Sequence, residues 1–161
     1  MDLSQISEPF RIFSFWFLLK YIGIKIAIAT LCGSIIGYER ELKNKAAGMR
    51  TIIIICVGSM IPTSMSFLLT NIYKDLDPTR MIGQIITGVG FLGAGVIMKH
   101  EDKIIGVTTA SFIWLTCSIG ILIGAGINPL IPIILTIGLV ILSVILEKTE
   151  KWIKKQSNKK A

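Results

Sequence analysis

Two groups of polar residues are spaced so that they could act together. The first is Asp77-Pro-Thr-Arg80, with Gln84 four positions further on. Asp at an N-cap followed by Pro starts a helix well, and Arg80 and Gln84 then lie on one face. Thr87, Gly88, Phe91 and Gly95 continue that face. Asp77, Arg80 and Gln84 would form a polar outer cluster, with Lys25 at the same depth, or serve only as a cap and a structural hydrogen bond. The second group is the run ERELKNKAAGMRT from Glu39 to Thr51. Glu39 or Glu41 would pair with Arg50 to fix a docking surface, with Gly48 supplying a turn of positive φ. The bland alternative is helix-ending charge in a solvated loop. Glu39, Arg40, Gly48, Arg50 and Thr51 make up this inner-side motif.

Other chemistry finds little support. No nucleophile stands near a base, and the single His100 sits among charges. Cys32, Cys56 and Cys117 lie inside apolar runs at spacings that fit no metal site, so they read as small core residues. Asp75 and Asp77 could hold Mg²⁺ through water, but Lys74 and Arg80 beside them make a poor cation site. An enzyme is the least favoured class; no cofactor and no bound metal are expected.

These residues hang on long apolar stretches. Of 161 residues, 52 % are hydrophobic and 17 % charged, with net charge +7. Thr51–Thr70 and Met81–Met98 carry no charge, and neither does Ile104–Leu146, which the turn at Gly124–Pro129 divides near Val107–Ala125 and Leu130–Leu146. About 20 apolar residues cross a hydrocarbon core of about 30 Å. A first crossing falls near Tyr21–Gly37, with Lys25 snorkelling outward. The fold expected is therefore an all-α membrane bundle of about five transmembrane helices. Residues 1–20, rich in Phe and Trp, read as an N-terminal interfacial helix rather than a cleaved signal peptide. Residues 21–146 form the transmembrane domain and 147–161 a basic tail.

Basic residues then number twelve in the first loop, third loop and tail, against two in the other loops. The basic excess is accordingly a topology signal and not a nucleic-acid footprint. The positive-inside rule puts the C-terminus in the cytoplasm and the N-terminus outside. Close helix packing in lipid needs small residues, which the sequence offers at Gly33 and Gly37, at Gly88, Gly90, Gly93 and Gly95, and at Gly120 and Gly124. The glycines of the third span could instead make a thin helix lining a path. The fourth span is polar enough to lie inside the bundle, with the Trp114 indole seeking a partner. A shift of 58 residues lays Gly37, Lys45, Gly48 and Thr51 on Gly95, Lys103, Gly106 and Thr109, hinting at a parallel repeat.

The segments GSIIGYERELKNKAAGMRT, DPTRMIGQIITGVGFLGAGVI and GVTTASFIWLTCSIGILIGAG, in this order, resemble the MgtC/SapB family of bacterial inner-membrane proteins. The resemblance implies about five spans and a link to magnesium limitation and to survival of pathogens inside cells. It implies action by regulating other membrane proteins, ATP synthase among them, rather than direct magnesium transport; the rival reading, from the third helix and its Arg80–Gln84 face, is an ion transporter or channel. By position it marks Glu39, Arg40, Gly48, Arg50 and Thr51, then Asp77, Arg80, Gln84, Gly88, Gly90, Phe91, Gly93, Ala94 and Gly95. It also marks Gly106, Thr108, Thr109, Ala110, Trp114 and Gly120. Longer members carry a soluble C-terminal domain; this chain reads as a short form, for which functions of that domain are not expected.

Overall fold

A computed structural model describes residues 15–158 apart from 71 and 102. It contains five helices: α1 (Phe15–Leu42), α2 (Met49–Thr70), α3 (Pro78–Gly95), α4 (Val107–Gly124) and α5 (Leu130–Ser157). Between α3 and α4 stands a hairpin of β1 (Met98–His100) and β2 (Lys103–Ile105), antiparallel with Lys99 opposite Ile104. The hairpin stands where the charged stretch around His100 predicts only a loop.

Four helices, α1, α2, α4 and α5, are long and apolar enough to cross a membrane. The fifth, α3, has 18 residues but carries Arg80 and Gln84 among many glycines, which dilute its apolar character. Whether α3 crosses therefore decides whether the two termini share a side. The helix α1 runs unbroken through the boundary expected near residue 20, and α5 runs unbroken through the one expected after Leu146. Phe15, Trp16 and Phe17 thus open the first long helix. Phe10 and Phe13 of the expected interfacial helix lie outside the described residues.

The helices α2 and α4 form the middle of the bundle. Ten residues of α4 are buried, whereas α3 buries only Gly93, and α5 only Pro132 and Thr136. Two seams hold α2. Against α1, a Cβ on Gly33 would lie 2.9 Å from Ile53 Cα, and one on Gly37 2.6 Å from Met49 Cα. Against α4, a Cβ on Gly120 would lie 2.3 Å from Cys56 O, and one on Gly124 2.7 Å from Met60 O. Lipid gives little hydrophobic drive between helices, so this backbone approach and its dispersion contacts hold the seams. Buried hydroxyls answer their own helices: Thr63 donates to Ser59 O at 2.7 Å and Thr116 to Phe112 O at 2.7 Å. That satisfies polar groups that lipid cannot. The three cysteines are buried and unbridged.

The expected packing of α3 is not found. Gly88, Gly90 and Gly95 face open space, and only Gly93 meets a neighbour, with Ala110 Cβ 3.7 Å from its built Cβ. The physical reason is that α3 lies at the margin, packing chiefly on α4 and less on α2. The placement of α4 inside the bundle holds, yet Trp114 points outward, 47 % exposed. The 58-residue shift carries the start of α2 at Met49 onto that of α4 at Val107, so each of these helices follows a glycine.

Candidate functional site

The most concentrated polar site lies where α1 ends and α4 begins. Glu39 and Arg40 close α1 and are 7 % and 2 % exposed. Neighbours on a helix do not ordinarily face each other. Here Arg40 folds back along the helix end, donating from Nη2 to Glu39 Oε1 at 2.7 Å while its Nε bonds Oε2. Ser143 of α5 joins both: it accepts from Arg40 Nη2 at 3.0 Å and donates to Glu39 Oε1 at 3.0 Å. Below the guanidinium lies the Phe112 ring of α4, its centroid 3.8 Å from Cζ. Lys43, one turn after Glu39, bridges Glu39 at 2.5 Å and Glu147 of α5. Burial opposes charge on Lys43, but the hydrogen bonds it donates to Glu147 and Glu39 prevail and raise its pKa above 10.5. This cluster ties α1, α4 and α5 together, and a cavity of about 280 Å³ opens beside it.

The pairing expected for Arg50 is corrected here. Glu39 is engaged by Arg40 and Lys43, and Glu41 accepts from the Met49 backbone N at 2.9 Å, serving the start of α2. Arg50 is exposed, and no ion pair joins it to either among the described residues. Gly48 does not take positive φ; Asn44 does, at 49°, and Gly48 instead admits the Glu41 carboxylate, 2.0 Å from where a Cβ would be. Thr51 is exposed in the first turn of α2.

At the opposite end the outer cluster does not assemble. Asp77 caps α3, accepting from Thr79 N at 2.9 Å and Thr79 Oγ1 at 2.7 Å. Those bonds, with the nearby Arg80, hold its carboxyl below the usual range. Arg80 and Gln84 are exposed. Asp77 and Arg80 share only the rim of a groove between α2 and α3, with Pro62, Leu69 and Met81.

Lys25 is elsewhere. It does not snorkel but turns inward, 7 % exposed, donating to Tyr21 OH at 2.7 Å, Gly124 O at 2.7 Å and Ser64 Oγ at 3.3 Å. A lysine suits the C-terminal carbonyls of α4 because the helix dipole is negative there. Lys25 therefore does not join Asp77 and Arg80, and the glycines bring no closer approach: Gly33 of α1 packs on α2, and a Cβ on Gly90 of α3 would meet nothing within 4 Å.

Sequence reasoning singled out Glu39 and Arg40 but missed their partners. The spacing of Glu39 and Lys43 was legible as an i, i+4 pair. Ser143 is one of two hydroxyl residues in the run from Leu130 to Leu146, a weak flag. No local signal tied Glu147 or Phe112 to Arg40.

Comparison with known proteins agrees with a membrane bundle. The MgtC family model matches residues 26–152. SapB of Bacillus subtilis strain 168 is 45 % identical over 117 residues, covering 69 % of this chain and 50 % of its own length. The Escherichia coli K12 protein named "Putative magnesium transporter YhiD" is 41 % identical over 112 residues, covering 66 % and 52 %. MgtC of Brucella abortus strain 2308 is 38 % identical over 112 residues, covering 70 % and 46 %. The chain spans about half the length of the curated relatives it matches. No solved structure matches it. With four membrane-length apolar helices and a family match over most of its length, the chain belongs to the MgtC family of membrane proteins.

Proposed function

We propose that the chain is a non-catalytic, multi-pass protein of the bacterial inner membrane that acts in adaptation to low magnesium by regulating other membrane proteins through contact. The observation that carries this reading is α3. Phe91 is 80 % exposed, and Gly83, Gly88, Gly90 and Gly95 leave room for another backbone. Gln84 and Arg80 stand exposed on the same helix, and polar groups at membrane depth call for a protein or water partner. ATP synthase is one candidate partner suggested by the family resemblance, and a role in virulence is another extension of it. A transporter is the second reading, favoured by the name of the Escherichia coli relative and by the groove of Asp75, Asp77 and Arg80 between α2 and α3. Purified protein in liposomes is expected to give no saturable Mg²⁺ flux, while a photo-crosslinker at Phe91 captures a membrane protein from magnesium-starved cells. A flux abolished by Gln84→Leu would overturn the contact reading in favour of transport.

The orientation rests on the basic residues and on a crossing by α3. We expect five crossings, with the N-terminus outside and the tail inside. A reporter between Tyr73 and Asp77 should then read as external, and reporters in the hairpin and after Lys155 as cytoplasmic. If the first two report the same side, α3 does not cross.

A further inference from the structure

The cavity beside Arg40 has unused donors. Its lining includes Arg40, Lys45, Thr108 and Phe112, together with Glu147 and Glu150 of α5. Arg40 is buried, and its Nη1 has no hydrogen-bond partner among the described residues. A buried guanidinium N–H without an acceptor is costly, more so than a neutral one. The acidic residues on the cavity wall are already claimed: Glu147 by Lys43 and Lys151, Glu150 by Lys154. Lys45 has no carboxylate within ion-pair distance among the described residues and feels Glu150 only as a more distant charge. The same cavity meets the N-terminal turn of α4 at Thr108. That helix starts at Gly106, whose φ of 92° and lack of a side chain leave the first turn with no side-chain cap. Free N–H groups and the positive end of the dipole at such a terminus favour an anion.

We propose that this cavity binds a phosphate group, held by Arg40 Nη1, the Lys45 ammonium and the first-turn N–H groups of α4. The donors approach from three elements, the end of α1, the loop after it and the start of α4. A tetrahedral oxyanion offers acceptor oxygens in those several directions, and a planar carboxylate does not. The phosphate comes either from the headgroup of an anionic lipid or from free inorganic phosphate. The site does not depend on how the chain contacts other proteins.

The test uses the full chain purified in an uncharged detergent. Inorganic phosphate and a short-chain phosphatidylglycerol are titrated separately, with a short-chain phosphatidylcholine as control, and binding is read from the thermal unfolding midpoint and from calorimetry. Stabilisation by inorganic phosphate identifies the free ion as the source; stabilisation by phosphatidylglycerol alone identifies the lipid. In either case Lys45→Glu should weaken binding at least about tenfold, the loss of one charge-assisted contact. Lys155→Glu changes the net charge equally but lies on the tail, and should leave affinity within about twofold, because exposed charges act weakly at a distance. Circular dichroism of both variants confirms an unchanged helix content, since Lys45 and Lys155 are exposed. If neither ligand binds, if phosphatidylcholine binds equally well, or if the two variants behave alike, the proposal is overturned.

Discussion

Arg40→Gln and Glu39→Gln are each expected to lower stability by about 3–5 kcal/mol, the cost of stranding one member of a buried pair. Both side chains are buried, and their bonds also occupy Ser143. Removing Arg40 leaves Glu39 with Lys43 and Ser143 alone, while removing the Glu39 charge leaves the guanidinium facing Phe112 and an already incomplete set of acceptors. The double variant should lose clearly less than the sum of the singles, because neither charge is then stranded. Denaturant unfolding of the detergent-solubilised protein, followed by circular dichroism, measures all three. Additive losses, or single losses below about 1 kcal/mol, would mean that the pair is solvated and not a structural tie. The Lys43 bridge has a defined pH sense. Its pKa is raised above 10.5, so its contribution is fully present below that value and is lost as pH rises through the higher folded one.

The second large effect separates glycines that look alike in the sequence. Gly120→Ala should destabilise by about 1–3 kcal/mol or more, the usual range for overpacking. Its new Cβ would stand 2.1 Å from Ser59 Oγ and 2.3 Å from Cys56 O. The hydroxyl could rotate away, but the carbonyl belongs to the α2 backbone, so α2 and α4 must part. Gly88→Ala meets nothing within 4 Å and removes the flexibility of a helical glycine. It should be neutral or stabilising by up to about 1 kcal/mol. The same unfolding assay compares them. Equal behaviour of the two variants would show that the α2–α4 seam is not packed through Gly120.

Composition and local spacing were enough to read the class of the protein and most of its elements. Charge-free runs of membrane length are a matter of composition, and they fall on α2, α4 and α5 much as expected, with α1 extended at both ends and α5 at its C-terminal end. The Asp77-Pro start of α3 was legible because a cap acts within a single turn. The ordered motifs pointed to the family for the same reason: they are strings of neighbours. Tertiary structure alone decided which face each helix buries. Glycine marks where close approach is allowed and does not say which helix approaches, so Gly33, Gly37, Gly120 and Gly124 line seams while Gly88, Gly90 and Gly95 line none. It also decided the partners of the charged residues. Lys25 reaches Ser64 and Gly124, 39 and 99 positions away, and Arg40 reaches Ser143, 103 away. A buried charge must find acceptors wherever the packed helices place them, and only the packing of α1 against α2, α4 and α5 brings those acceptors within hydrogen-bonding distance.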